Sequence, residues 1–321
     1  MTAKRIVIVT PAPPRSRSGN RNTATRWARI LRDLGYRATI RMEWHGEPCD
    51  VIVVLHARHG HASLKAFRDA HPDVPAILAL TGTDIYRDIR SFEDAQRSLE
   101  MASRLIVLQK AALDELTPSQ RSLACVIHQS EVAHYAHQPP RRVFRALTLG
   151  HLREEKDPFR GALALHHLPR RLGIELVQAG KALDPKFEHE AKQLMRQEPR
   201  YRWIGEISHA RALKLLATGH VMVISSYMEG GAHVVSEAIV HGVPVIASDI
   251  PGNRGMLGED YPGYYPAGDD AALASLLLRA YSDPEFLAML KIKILARQPL
   301  FHPQRESEAW HHLLDEVFRA E

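Results

Sequence analysis

Cysteine is scarce in this chain of 321 residues, which contains only Cys49 and Cys125. Two cysteines without metal-ligand spacing predict neither a zinc site nor a disulfide framework, and they favour a reducing compartment such as the cytoplasm. Long apolar runs are lacking as well, because no stretch reaches the ~18 residues that a membrane-spanning helix needs. The amino-terminal apolar run, Ile6–Val9, is too short for a signal peptide. We therefore expect a cytoplasmic protein without a membrane span.

Runs of one charge are missing too. The net charge is +5, but acidic and basic residues are interspersed, and no basic run is interleaved with aromatic residues. This pattern argues against nucleic-acid binding. A basic balance suits anionic substrates, or simply solubility. At this length, with 45% apolar residues, we expect a substantial core divided between two domains.

The second half of the chain contains a clear strand–loop–helix–strand pattern. His220–Ser225 is a short apolar run that predicts a buried strand. Ala232–His241 has one apolar stripe at helical spacing, and Gly242 followed by Pro244 predicts its end. Val243–Ala247 returns as a second buried strand. This order is the βαβ building block of a parallel sheet, and it predicts an α/β protein.

Two glutamates lie where such a unit binds ligands. Glu229 is in the loop at the carboxyl end of the strand, beside Gly230 and Gly231, and Glu237 follows on the helix. Ligands of open α/β sheets bind beyond the carboxyl ends of the strands, where two carboxylates can accept hydrogen bonds from a polyol. The amino end of the helix suits phosphate or sugar oxygens. An ordinary surface loop and a solvated helix remain the alternative interpretation.

The pattern Glu229-x7-Glu237, followed by Ala-x3-Gly-x-Pro-Val, resembles the signature of retaining GT-B glycosyltransferases of the large family 4 type. The resemblance implies a GT-B fold, with two Rossmann-like doubly wound parallel-sheet domains that face an interdomain cleft. It also implies that Glu229 contacts the transferred sugar and that Glu237 holds the ribose of the nucleotide. The family usually has Gly-Phe-Gly where this chain has Gly230, Gly231 and Ala232, so the donor-binding loop differs here.

The segment Gly150–Pro158 follows a predicted strand and contains an arginine and a lysine. These two side chains can bind a diphosphate, arginine as a planar fork and lysine as a point charge. An exposed turn is the alternative. The family pattern Gly-Arg-Leu-x-x-Glu-Lys implies that Lys156 contacts the donor pyrophosphate. His151 occupies the position of the family arginine, and Arg153 can supply the missing charge. Further along, Gly180 matches the family's glycine turn, and Ile207 lies in the segment whose backbone reads the nucleotide base.

The loop after the first predicted strand combines prolines with three arginines and opens a helix. Such a helix start can hold a small oxyanion, although a solvated basic loop is the alternative. This strand–loop–helix unit lacks both the glycine pattern of dinucleotide-binding sites and the glycine pattern of P-loops. The resemblance implies that this loop helps to bind the acceptor, together with a second polar loop at residues 81–84, whose alternative role is helix capping. The predicted acceptor-binding residues are Arg15, Ser18, Gly19, Asn20, Arg21, Thr81 and Thr83.

The third predicted strand is followed by His56, His59 and His61. This spacing can suit a metal ion, but no carboxylate or thiol nearby in the sequence completes a site, so we predict none. Asp50-x5-His56 resembles a strand end of the family at which a histidine reaches the cleft near the donor sugar. The predicted catalytic residues are therefore Glu229, Lys156, Arg153 and His56.

The domain boundaries follow from the turn-forming segment 138–142, which predicts a linker. We expect an acceptor domain at residues 1–141 and a nucleotide-sugar donor domain at residues 142–301. Residues 302–321 have the pattern of an amphipathic helix, and in GT-B folds such a helix crosses back to the first domain.

Three segments narrow the resemblance: Thr10–Pro14, Ser18–Arg21 and Gly150–Pro158. Together they resemble a small bacterial subgroup that includes the selenosugar synthase of selenoneine biosynthesis. This resemblance implies UDP-N-acetylglucosamine as donor, selenophosphate as acceptor and a new carbon–selenium bond, with no cofactor besides the UDP-sugar co-substrate. Selenophosphate is a strong anionic nucleophile and needs little help from a general base. Transfer to a hydroxyl acceptor, non-catalytic binding of a sugar nucleotide, and sugar epimerisation remain alternatives.

Overall fold

The computed structural model describes residues 3–16 and 18–319, and it divides into two compact units. The first unit combines the described residues up to Ser130 with the C-terminal segment from Pro303, and the second runs from Glu131 to His302. The predicted boundary at residue 141 therefore falls too late. Residues just after 130 already bond within the second unit: the Glu131 N–H donates to the Phe301 carbonyl, and the Gln138 N–H donates to the Ala217 carbonyl at 2.8 Å.

The first unit is built on a parallel sheet. Within the described residues it has six strands in the order β2-β1-β3-β4-β5-β6, and all neighbours pair in parallel. The strands are β1 (Arg5–Val9), β2 (Arg37–Arg41), β3 (Val51–Leu55), β4 (Ala76–Leu80), β5 (Arg104–Val107) and β6 (Ala124–Val126). The connecting helices are α1 (Gly19–Asp33), α2 (His61–Ala70), α3 (Ile89–Ser91), α4 (Glu93–Met101) and α5 (Pro118–Ser122), with helical turns at Asp84–Asp88 and Lys110–Glu115.

Successive buried side chains of β1 lie on opposite faces of the sheet, which explains why helices cover both faces. Ile8 is buried in a cluster with Trp27 of α1, whereas its neighbour Val7 is buried in the opposite cluster with Phe67 of α2. Successive side chains of a strand point to opposite faces, so a strand that is apolar at every position needs a packed layer on each side. The doubly wound arrangement follows from this pattern.

The C-terminal helix, Pro303–Arg319, completes one of these layers. Its Trp310 is fully buried, and its ring lies edge-on to the ring of Trp27 with 4.9 Å between centroids. At the start of the helix, the buried carboxylate of Glu306 accepts hydrogen bonds from Trp27 Nε1 at 2.9 Å and from the Ser130 N–H at 2.8 Å. Burial raises the pKa of Glu306. The helix is thus part of the first unit's core.

The second unit contains a second parallel sheet. Its described strands lie in the order β12-β11-β10-β7-β8-β9. They are β7 (Phe144–Leu149), β8 (Ile174–Ala179), β9 (Tyr201–Trp203), β10 (Val221–Ile224), β11 (Val245–Ser248) and β12 (Tyr264–Tyr265). The helices are α6 (Arg160–His166), α7 (Pro185–Gln197), α8 (His209–Leu216), α9 (His233–His241), α10 (Pro251–Leu257), α11 (Asp270–Ser282) and α12 (Pro284–Leu295), with turns at Glu154–Lys156 and Gln298–Phe301; the C-terminal helix is α13. The predicted α/β class with two parallel sheets is confirmed.

Each sheet has a point at which the direction of winding reverses. In the first sheet it lies between β1 and β3, and in the second between β7 and β10. Ligands of open α/β sheets bind at such switch points, beyond the carboxyl ends of the strands. The loops that follow β1, β3, β7 and β10 are therefore the places to look for binding residues.

Two local predictions differ from the structure. Asp249–Arg254 resembles the family loop that reaches the sugar, which predicts a loop, but α10 begins at Pro251, because proline is well suited to the first position of a helix. The two-residue strand β12 was not predicted, since it has no apolar run of its own. Within the described parts of the chain, no helix is long and apolar enough to cross a membrane.

Candidate functional site

The loops after β7 and β10 are bonded to each other at the switch point of the second sheet. Ser225, directly after β10, donates through Oγ to the carbonyls of Lys156 and Asp157 at 3.0 and 2.8 Å. The Tyr227 N–H donates to the Glu155 carbonyl at 2.9 Å. These bonds hold the loop that contains Lys156 against the loop that contains Glu229.

Lys156 and Glu229 meet at this junction. The ammonium group of Lys156 donates a hydrogen bond to Oε1 of Glu229, and Ser226 Oγ donates to the same oxygen at 2.5 Å. Glu229 is only 7% exposed. A buried carboxylate is stable when it has a cation and a hydroxyl as partners. Two residues predicted to act on one donor molecule are therefore in direct contact.

Gly252 explains how the Glu229 loop is held, and sequence reasoning did not assign it to the site. A Cβ at this position of α10 would lie 2.0 Å from the Glu229 carbonyl oxygen, so only glycine allows this approach. The next residue, Asn253, donates through its amide to the Ser248 carbonyl at 2.9 Å, and Ser248 Oγ donates to the Ser226 carbonyl at 2.6 Å. The sequence signals were the Pro-Gly pair and the resemblance of Asp249–Arg254 to the family loop that reaches the sugar.

Glu237 lies on α9, buried and facing a histidine. Gly230, Gly231 and Ala232 connect Glu229 to the first turn of this helix. Nε2 of His209, the first residue of α8, lies 2.7 Å from Oε1 of Glu237. Burial raises the pKa of Glu237, and His209 opposes that shift. His209 was not predicted, since only the fold brings α8 to α9.

The predicted glycine turn also has a close neighbour. A Cβ on Gly180 would lie 1.8 Å from the carbonyl oxygen of Gly150, so the loops after β7 and β8 are in backbone contact. Beside them, the Lys181 N–H donates to His151 Nδ1 at 3.2 Å. Ile207 lies in the loop between β9 and α8, two residues before His209.

A recess that is open to solvent lies at this switch point. Its lining includes Gly150, His151, Lys156, Ser225 and Val234. Arg153 lies at the surface instead, with its Nε 4.0 Å from the Glu155 carboxylate. Of the two predicted substitutes for the family arginine, His151 is therefore the one that lines the recess.

The first unit brings together part of the predicted acceptor site. Asn20 Oδ1 accepts a hydrogen bond from Thr81 Oγ1 at 2.7 Å, which joins the start of α1 to the loop after β4. Ser18 Oγ accepts from the Arg21 N–H and caps α1, whose first residue is Gly19. Arg15 is exposed and has a left-handed backbone with φ of 66°. Arg17 lies outside the described residues.

Asp84 organises the loops after β3 and β4. Its buried carboxylate accepts backbone N–H bonds from Ala57 at 3.1 Å, Thr81 at 3.3 Å and Gly82 at 2.7 Å. The Thr83 side chain makes no capping bond to the following turn. Asp84 therefore holds the two loops together, and its bonds to Ala57, Thr81 and Gly82 are not the helix capping that the sequence offered as an alternative.

His56 lies in the first unit, at the end of β3, whereas Glu229, Lys156 and Arg153 lie in the second. It is buried, with a positive φ of 77°. Its Nδ1 accepts the His59 N–H at 3.3 Å, and its Nε2 lies 3.7 Å from Oδ2 of Asp88.

Comparison with known proteins identifies the second unit. The profile of the family described as "Glycosyl transferases group 1" matches residues 131–294, slightly more than half of the chain.

The chain belongs to this family.

Solved structures of glycosyltransferases resemble this one over nearly its full length. A sucrose-phosphate synthase from Thermosynechococcus elongatus aligns with a TM-score of 0.79 at 17% identity, covering 99% of this chain and all of the other. HepE from Anabaena, solved in complex with UDP and glucose, aligns with 0.77 at 15% identity over 98% of this chain and all of its own. A glycosyltransferase from Rickettsia africae aligns with 0.76 at 13% identity over both full chains.

These comparisons confirm two predictions: the GT-B fold, and an enzyme of the glycosyltransferase class. The matched region contains the recess and both glutamates of the Glu-x7-Glu pattern. The roles given to individual residues of this glycosyltransferase remain predictions, as do its donor and acceptor.

Proposed function

We propose that this glycosyltransferase transfers N-acetylglucosamine from UDP-N-acetylglucosamine to selenophosphate. In the reaction, the bond between the anomeric carbon and the UDP oxygen breaks, UDP leaves with the electron pair, and selenium forms the new bond to carbon. The observation that carries the sugar-nucleotide part is the contact between Lys156 and Glu229 beside the recess. The choice of acceptor rests on the three sequence segments that resemble the selenosugar-forming subgroup.

The ion pair supplies the chemistry that a UDP-sugar needs. An incoming diphosphate competes for the ammonium of Lys156, and a sugar hydroxyl takes its place at Glu229. Lys156 then neutralises the charge that develops on the leaving group, with His151 at the same recess. Glu237 accepts hydrogen bonds from the ribose. Charge stabilisation and positioning account for most of the catalysis in this scheme.

Two features support a donor of this class. HepE, which has the same fold, was solved with UDP, with UDP and glucose, and with UDP-glucose. The recess lies at a topological switch point, where open α/β sheets bind nucleotides. For the acceptor, the hydrogen bond between Thr81 and Asn20 joins the two predicted acceptor loops, which follow β4 and β1. We further propose transfer with retention at the anomeric carbon, as the resemblance implies.

The test is UDP release from UDP-N-acetylglucosamine by the purified full chain, with and without freshly prepared selenophosphate. We expect release that depends on selenophosphate and a selenium-bearing hexosamine in the mass spectrum. Inorganic phosphate in place of selenophosphate controls for the anion, and E229Q controls for background hydrolysis.

Two other outcomes would redirect the assignment. Release with hydroxyl acceptors but not with selenophosphate would overturn the selenosugar proposal and leave an ordinary sugar transferase. Binding of UDP-sugars without any release would favour a binding protein. The configuration of the product, read from the anomeric proton coupling, tests retention.

A further inference from the structure

His56, His59 and Asp88 form a cluster that the sequence does not reveal. One potential ligand atom from each lies within 4.8 Å of the other two. Both histidines follow β3, whereas Asp88 ends the helical turn after β4, 29 positions beyond His59. The histidine spacing alone lacked a carboxylate to complete a metal site. The parallel pairing of β3 with β4 supplies one.

Asp88 has an unsatisfied oxygen in a fully buried position. The residue is 0% exposed, and among the described residues its Oδ2 has no hydrogen-bond donor. Its other oxygen accepts from Arg87 Nε at 3.0 Å. Buried polar atoms are nearly always paired, because an unpaired one loses its hydration without compensation. His56 Nε2 is 3.7 Å from this oxygen, which is too far for a hydrogen bond.

The backbone fixes which nitrogen of His56 faces Asp88. Nδ1 accepts the His59 N–H, so Nε2 is the atom turned towards the carboxylate. His56 has a left-handed backbone, which is unfavourable for a non-glycine residue and is found most often at functional sites. The turn is also tight at Gly60, where a Cβ would lie 2.9 Å from the His56 carbonyl oxygen.

His59 supplies the third group and an entry path. Its ring lies 4.3 Å from the His56 ring between centroids, and the residue is exposed.

We propose that His56, His59 and Asp88 bind a divalent transition-metal ion, with Zn²⁺ as the representative. Two imidazoles and one carboxylate are a donor set that suits Zn²⁺, and three protein ligands leave a position open for water or an anion. Zinc ligands lie about 2.0–2.2 Å from the ion, so the side chains must draw together, and the exposed His59 has the freedom to do so. The ion would coordinate Oδ2 of Asp88, the oxygen that has no hydrogen-bond donor among the described residues. Because Nε2 of His56 would bind the ion, this proposal replaces the donor-sugar contact predicted for His56 from the sequence. It does not depend on the identity of donor or acceptor.

The test is Zn²⁺ binding to the tag-free full chain after treatment with a chelator, measured by competition with a chromophoric chelator. We expect one tight site per chain. H59Q should weaken it by more than about a hundredfold, because loss of even an outer-shell partner costs a metal site ~10- to 100-fold. H45Q is the matched control, since His45 is an exposed histidine of the same unit outside the cluster. It should leave binding unchanged.

D88N tests the carboxylate, and we expect the same loss of Zn²⁺ affinity. Because Asp88 is buried, circular dichroism must show that this variant folds. If it does not, the Co²⁺ absorption spectrum of the native chain decides, since a tetrahedral N/O site gives an intense visible band that H59Q should abolish. Equal Zn²⁺ affinity of the native chain and H59Q, or affinity lost equally in H45Q, would overturn the proposal.

Discussion

Lys156 and Glu229 form an ion pair, and Lys156 gives the buried carboxylate of Glu229 a charged partner. In K156A, Glu229 retains Ser226 as its described side-chain donor. We expect the free energy of unfolding to fall by about 1–3 kcal/mol, the cost of a poorly satisfied buried group. UDP release should fall ~10²- to 10³-fold, as when one preorganised donor is removed from a transition state.

Urea unfolding and initial rates measure the two effects. The matched control is K192A, which removes a lysine from an exposed pair with Glu188 on α7. That variant should keep both its stability and its rate. A K156A enzyme as fast as K192A would contradict the leaving-group role of Lys156.

G252A should disturb the donor site without changing any functional side chain. The added methyl would meet the Glu229 carbonyl, so the loop must move away from α10. We expect a loss of about 1–3 kcal/mol in unfolding free energy, as for overpacking of a core, and weaker UDP binding by calorimetry.

G173A is the matched control for this prediction. A Cβ there would lie 3.9 Å from the Arg142 carbonyl oxygen, which is an ordinary contact. If both variants bind UDP equally well, Gly252 does not position the Glu229 loop.

Sequence reasoning at the residue scale found the groups whose spacing carries a signal. Glu229 and Glu237 are separated by a fixed number of residues, and Lys156 belongs to a short motif. Gly252 and His209 carry no such signal, because their importance arises from an approach between segments that are distant in sequence. Asp88 is the same case, since it meets the histidines only through strand pairing.

At the scale of single elements, α13 is tied to its unit by a buried carboxylate. The pKa of Glu306 is raised above its ordinary value by burial, so the folded state favours the protonated form more than the unfolded state does. Glu306 therefore contributes to stability at pH values below the usual pKa of glutamate. This contribution is lost as the pH rises through the raised pKa of the folded state. E306Q removes this dependence.

We expect the stability of the native chain relative to E306Q to decrease from pH 4 to pH 7. Urea unfolding of both proteins across this range measures the difference. E308Q provides the matched control, because Glu308 is exposed on the same helix. A difference between native and E306Q that stays constant with pH would show that Glu306 titrates alike in both states.

Helices and strands were predictable where the hydrophobic pattern and the flanking glycine and proline residues indicate the same boundaries. The apolar runs of β1, β3 and β10 predicted strands, and Gly242 with Pro244 marked the end of α9. The prediction of a loop at Asp249–Arg254 was wrong, because a Pro-Gly pair is common both in turns and at helix starts. Only packing against the Glu229 loop distinguishes the two.

At the scale of the whole molecule, the first unit depends on a segment from the far end of the chain. W310A removes a fully buried indole that packs on Trp27, and we expect a loss of about 3–5 kcal/mol. Hydrogen exchange should show faster exchange in β1 and α1, with β7 and β10 unchanged, because the cavity lies in the core of the first unit.

L290A is the matched control in the second unit, where Leu290 is equally buried. It should accelerate exchange around β10 and β11 instead. Acceleration spread evenly over the chain in both variants would contradict two separately cored units.

Length and composition predicted two domains, and the resemblance placed a helix at the end of the chain. The boundary near residue 130 was not predictable, because the turn-forming residues lie at 138–142 and the segment 131–138 has no proline or glycine to mark a boundary. Its backbone bonds to residues far along the second unit, and those partners are visible only in three dimensions.

The discontinuous first unit has a consequence for biosynthesis. A nascent chain emerges from the ribosome in order, and domains usually fold in that order, the N-terminal one first. Here residues 131–302 are continuous and can form their core as soon as they are made. The sheet of residues 5–126 emerges earlier, but Trp27 has neither Trp310 nor Glu306 as a partner until α13 has been synthesised. The unit translated first is therefore the last to be completed, and its apolar face is exposed to chaperones throughout elongation.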